Sequence, residues 1–194
     1  MCHVVLTPKY GGVRARLDSQ AKYKGSPCCL GCKRFISFAK TKKERGYITT
    51  YLLTGHIPSH DLPPTLSVQE VLRRLKARYH QIRSRYNHKV TENKNCPLTL
   101  NDLIRIYIKQ DQLCQITGFR CYLHDTSLPR QPYWALSLDH IVPVSHQLNN
   151  HYVWSADNLQ VMSTILNSIK GDANDVEIVD WYKRFLAANM VLID

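Results

Sequence analysis

One stretch of the chain carries apolar residues at clear helical spacing. Val68, Val71, Leu72, Leu75, Tyr79, Ile82 and Tyr86 recur on one side, with Arg73, Arg74, Lys76, Arg78, Arg83 and Arg85 between them. Ser67 and Glu70 ahead of this run make an S-x-x-E capping box, so a basic amphipathic helix of roughly 20 residues is expected here. Thr99 and Asp102 likewise predict a helix to about Gln110, with Leu103, Ile104, Tyr107 and Ile108 facing inward. A third helix is expected over Asp175–Met190, where Val176, Val179, Trp181, Tyr182, Phe185 and Leu186 form its apolar side. Strands are expected at Trp134–Asp139 and Asn158–Met162, with a helix opening at Ser163 or Thr164 and carrying Asn167. Residues 1–60 read as mostly irregular, with Ile48–Leu53 a candidate strand because Tyr and Thr favour one. Asp61-Leu62-Pro63-Pro64 reads as a linker.

Charge sharpens this layout. The 194 residues carry a formal net charge of +11. Nineteen of the 26 Lys and Arg, but five of the 15 Asp and Glu, lie in residues 1–97, which leaves +14 there and −3 in residues 98–194. Such an excess suits a module that grips phosphates, with a soluble basic surface as the plainer alternative. No apolar run reaches membrane-spanning length, and the start Met1–Pro8 is too short and too polar for a secretory signal, so a cytoplasmic protein with no membrane partner is expected.

Seven cysteines and no secretion signal argue for thiols or metal ligands over a disulfide framework. Cys29-Leu30-Gly31-Cys32 is a CxxC knuckle, and His56 and His60 stand at H-x3-H spacing. Cys29, Cys32, His56 and His60 are therefore a candidate structural Zn²⁺ site that would staple the N-terminal region; the alternative is a pair of reduced thiols in a loop. Cys114 and Cys121 read as small buried apolar residues.

The richest chemistry lies in Leu138-Asp139-His140-Ile141-Val142-Pro143, followed by Asn158-Leu159-Gln160 and Asn167-Ser168-Ile169-Lys170-Gly171. Asp139 and His140, adjacent at a strand end, point to opposite sides, so one can serve a metal and the other a water. A neutral imidazole takes a proton near pH 7, and a cation neutralises a phosphate. An isolated Asp-His pair is more often a structural hydrogen bond; the ordered set with Asn158, Asn167 and Lys170 shifts the balance toward a site.

In this order and spacing the residues resemble the HNH (ββα-metal) nuclease family over about Cys114–Asp172, and Cys114-Gln115-Ile116-Thr117-Gly118 resembles the turn ahead of the catalytic strand in zinc-free members. The resemblance implies a general base at His140, an orienting residue at Asn158, and metal ligands at Asp139 and Asn167. Asn167 stands where the third family letter is often His. An Asp plus Asn set is all oxygen, which suits Mg²⁺ or Mn²⁺. Lys170, three residues past Asn167, is a candidate phosphate contact or a solvated lysine.

The expectation is an α+β protein with a ββα-metal core flanked by helices and a basic, candidate zinc-stapled N-terminal region. Its parts are 1–62 with the Cys knuckle, 63–112 as a helical basic region, and 113–194 as the nuclease domain. The implied function is a Mg²⁺-dependent DNA endonuclease, of homing or restriction type, leaving a 5′-phosphate and a 3′-hydroxyl. Its partner would be double-stranded DNA, contacted by Lys170 and by Arg73, Arg74, Lys76, Arg78, Arg83 and Arg85. A homodimer is expected if both strands are cut. The rival class is a DNA-binding module with a silent HNH fold.

Overall fold

The computed structural model describes residues 20–23, 26–90, 95–125, 127–128, 130–146 and 151–189. Helices dominate and the strands form two small antiparallel pairs, so the protein is α+β. The chain divides into two compact units, Met1–Ile57 with Ile165–Asp194, and Pro58–Thr164.

In the first unit, β1 (Gln20–Tyr23) pairs with β2 (Ser26–Cys29), and α1 (Leu30–Phe38) follows β2 without a loop. The region expected to be a strand at Ile48–Leu53 lies instead inside α2 (Lys42–Thr54). Local signals explain the correction. Thr41 and Glu44 form a reciprocal capping box, and Gly55 closes the helix in the left-handed conformation at φ 73°. Between those stops, Ile48, Tyr51 and Leu52 bury one face, which a helix allows and β-branched neighbours do not prevent. After α5 (Thr164–Lys170), α6 (Asp175–Asn189) buries Ile178, Trp181, Tyr182 and Phe185, while Val176, expected inward, is exposed. The Tyr182 hydroxyl donates to the Leu52 carbonyl at 2.7 Å, tying α6 to α2.

In the second unit, α3 (Val68–Lys89) starts at the expected cap, with the Glu70 amide donating to Ser67 Oγ at 3.2 Å. Leu75, Ile82 and Tyr86 are its buried stripe, whereas Val68 and Leu72 face outward. α4 (Leu100–Lys109) has the Thr99/Asp102 capping box; Leu103 and Ile106 are buried and Ile108 is exposed. The inward face is therefore rotated from the expected one, because Ile106 pairs with Leu103 at i, i+3.

β3 (Leu136–His140) and β4 (Leu159–Ser163) pair antiparallel, with Asp139 opposite Gln160 and His140 opposite Leu159. An isolated two-strand ribbon is marginal in water. The outer edge of β4 is covered: the Val161 amide donates to Gln110 Oε1 at 2.6 Å, and the Val161 carbonyl accepts from the Gln115 amide at 3.0 Å. Gln115 belongs to the Cys114–Gly118 turn, closed by the Gly118 amide on the Cys114 carbonyl, with Gly118 at φ 72°. Cys114 and Cys121 are buried there, as expected. No helix among the described residues is long and apolar enough to cross a membrane.

Candidate active site

The C-terminal end of β3 places Asp139 and His140 side by side, 6% and 8% exposed. A buried carboxylate needs hydrogen bonds, and cross-strand Gln160 provides one from Nε2 to Asp139 Oδ2 at 3.2 Å. Gln160 was not singled out from the sequence, although it stands in the quoted Asn158-Leu159-Gln160; strand register alone makes it the neighbour of Asp139. The ring of His140 meets the edge of Trp154 (centroids 5.4 Å, 81°), and Trp154 in turn meets Tyr86 of α3 (5.4 Å, 88°). The inner stripe of α3 thus backs the imidazole through one fully buried indole.

Asn158 is wholly buried and sutures the loop that leaves β3. Its Oδ1 accepts from the Val142 amide at 2.8 Å, and its Nδ2 donates to the carbonyls of Val142 and Val153, both at 2.9 Å. Its own carbonyl accepts from the Ile141 amide at 2.9 Å. Asn158 therefore fixes Ile141 through its own carbonyl and Val142 through its side chain, so any orienting effect on the imidazole runs through backbone.

Asn167 lies half-buried in α5, which follows β4 directly. Lys170 departs from both roles expected of it. It is 0% exposed, with Nζ bonded to Asp175 Oδ1 at 2.6 Å, and so is neither a solvated lysine nor a surface phosphate contact. A fully buried ammonium requires such a partner because its desolvation is costly. Arg34 of α1 completes the arrangement, its Nη1 donating to the carbonyls of Ile169 and Lys170 at 3.0 and 2.6 Å. A cation on these last carbonyls suits the C-terminal end of α5. Gly171 is required twice over: its φ is +54°, and a Cβ there would stand 2.6 Å from the Arg34 guanidinium.

The basic helix α3 divides its cations. Arg73 and Arg74 both bond Glu70 (2.7 and 2.6 Å), Arg73 also reaches Asp125, and Arg74 reaches the Leu123 carbonyl at 2.9 Å. These bonds, that from Arg73 foremost, hold the Glu70 carboxyl at about 2. Arg78 donates to Gln131 Oε1 and the Leu136 carbonyl, and burial pushes its guanidinium down. Of these three, expected to face nucleic acid, Arg74 and Arg78 are partly buried and bonded within the protein, while Arg73 is ion-paired with its side chain 57% exposed. Lys76, Arg83 and Arg85 are exposed.

Among the described residues no group of three or more His, Cys, Asp or Glu is placed to hold a metal, and Cys29, Cys32 and His56, which share a unit, do not form one. His56 and His60 are exposed, the latter beside Asp61 at 3.8 Å. Cys29 instead caps α1, its sulfur accepting from the Cys32 amide at 3.2 Å. The Cys29 thiol is held down at about 6, first by a hydrogen bond from the Cys32 side chain and then by its amide, Trp181 and Arg184, against the opposing effect of burial.

Comparison of the chain with protein-family models, characterised proteins and solved structures finds no match in any of the three.

Proposed function

We propose that the protein is a metal-dependent endonuclease that hydrolyses phosphodiester bonds in DNA through an HNH (ββα-metal) site. The observation that carries this reading is the end of the β3–β4 pair: Asp139 and His140 adjoin there, and Asn158 pins the loop that follows them with three side-chain hydrogen bonds. His140 serves as general base, taking a proton from the attacking water. Gln160 orients the Asp139 carboxylate through its Oδ2. Asp139 and Asn167 are the metal ligands, a pairing carried by the order of the motif along the chain. Two oxygen donors suit Mg²⁺ or Mn²⁺, ions that keep several waters and bind through few carboxylates. When bound, the ion supplies charge neutralisation at the phosphate and the departing oxygen.

DNA is the favoured substrate because the chain is strongly basic in its first half and α3 presents Lys76, Arg83 and Arg85 outward. Cutting of both strands would call for two such centres and hence a homodimer. A second reading, a DNA-binding module with a silent site, draws on the burial of Asp139 and His140.

The two separate on supercoiled plasmid treated with wild type and His140→Ala, each with Mg²⁺ and with EDTA. The nuclease reading expects cleavage with Mg²⁺, none with EDTA, and a drop of about 10²–10⁴-fold in the variant. Binding without turnover by both proteins on plasmid and on randomised duplex would establish the silent module.

A further inference from the structure

We propose that Cys29 and Cys32 form a redox-active dithiol at the start of α1, which a peroxide converts to an intramolecular disulfide. The proposal stands apart from the nuclease reading.

The pair sits in a single turn at the start of a helix. Cys29 is the last residue of β2 and the N-cap of α1, in extended conformation (φ −72°, ψ 158°), so its sulfur folds back over the first turn and accepts from the Cys32 amide. Cys32 is three residues on, in that same turn, with its amide 3.2 Å from the Cys29 sulfur. Two residues of one tight turn lie within the separation that a disulfide tolerates, so closing the bond asks for side-chain rotation rather than movement of an element. Gly31, between them, has no room for a side chain: a Cβ would stand 2.4 Å from Trp181 Nε1. The indole therefore lies directly on the motif. Together with Arg184 it makes the surroundings of the Cys29 sulfur electropositive, which favours thiolate, the nucleophilic form.

The neighbouring Cys28 is a control supplied by the fold. It is half-buried yet lacks these donors, and burial raises its thiol, so exposure alone would select Cys28 while chemistry selects Cys29. Cys29 and Cys32 are buried, which calls for a small neutral oxidant such as hydrogen peroxide. The Cys29 thiolate attacks one peroxide oxygen, the O–O bond breaks, and hydroxide leaves; Cys29 becomes a sulfenic acid. The Cys32 sulfur then displaces the sulfenic hydroxyl, and water carries away the thiol proton. The net change is two thiols and one peroxide to one disulfide and two waters.

The test treats the reduced full-length chain with equimolar hydrogen peroxide, alkylates the remaining thiols, and maps the peptides by mass. The expected result is loss of two alkylatable thiols, both in the peptide holding Cys29 and Cys32, restored by dithiothreitol. In Cys32→Ser, Cys29 should stop at a sulfenic acid that dimedone traps. In Cys29→Ser, where serine keeps the helix cap, Cys32 should stay fully alkylated. Circular dichroism of each variant checks that it is folded. Oxidation that falls first on Cys28, Cys96 or the Cys114–Cys121 pair would overturn the proposal. So would a Cys29–Cys32 pair that stays reduced, or one that is oxidised only after a chelator strips zinc from it.

Discussion

The two ends of the Asp139–Gly171 motif both bury polar side chains, yet they use burial differently. At the Lys170 end the polar groups close on one another: the ammonium on Asp175, and the Arg34 fork on the carbonyls of Ile169 and Lys170. At the Asp139–His140 end the polar contacts are organised around orientation. Gln160 fixes one carboxylate oxygen, Trp154 backs the imidazole, and Asn158 ties down the following loop through backbone. The first arrangement uses its donors to hold helices together. The second holds Asp139 and His140 in place at a strand end, the arrangement that the proposed acid–base role calls for. Residues that look alike in a motif string can therefore tie helices together at one end and fix side-chain orientation at the other.

The sharpest way to break this contrast is substitution at both ends with two readouts. His140→Ala should cost cleavage about 10²–10⁴-fold while leaving the melting temperature near that of wild type; a large loss of stability with cleavage retained would reverse the assignment. Lys170→Ala should behave in the opposite sense. Leaving Asp175 without its buried partner should destabilise the protein by about 3–5 kcal/mol in denaturant titration, and a fully stable Lys170→Ala with weakened DNA binding would restore a surface role for this lysine. Asn158→Ala falls between them. It strands the Val142 amide and the Val142 and Val153 carbonyls, at about 1–3 kcal/mol, and should lower turnover among molecules that remain folded, because the loop after His140 is no longer fixed.

The smallest effects are expected on α3. Replacing Lys76 or Arg83 by Ala should reduce the slope of log K against log salt by about 0.9 for each phosphate that the side chain no longer neutralises, with no change in melting temperature. Arg78→Ala should do the reverse, because its guanidinium serves Gln131 and the Leu136 carbonyl. Equal salt slopes for all three variants would mean that α3 does not face nucleic acid.

Much of this was legible in the chain. Capping residues fixed the starts of α3 and α4, because Ser67 and Thr99 act on amides three residues away and need no distant partner. Both strands of the second pair were expected to within one or two residues of where they lie. The same local logic was available at Thr41–Glu44, and there the β propensity of Ile, Thr and Tyr misled; the capping box and Gly55 were the better guide.

By itself, then, the sequence determined the main helices and strands from Val68 onward, where the basic excess lies, and that Asp139 and His140 share a strand end, but not β1, β2 and α1, nor that Lys42–Thr54 is helix. These follow from interactions a few residues apart. Only the tertiary structure decided what each charged or polar side chain meets. It put Asp175 against Lys170, Arg34 against the end of α5, Gln160 beside Asp139, Trp154 behind His140, and Trp181 on the Cys29–Cys32 turn. Most of those partners are many residues away along the chain. A lysine reads the same whether it lies in water or against a buried carboxylate, and the difference in desolvation exists only once the chain has closed around it.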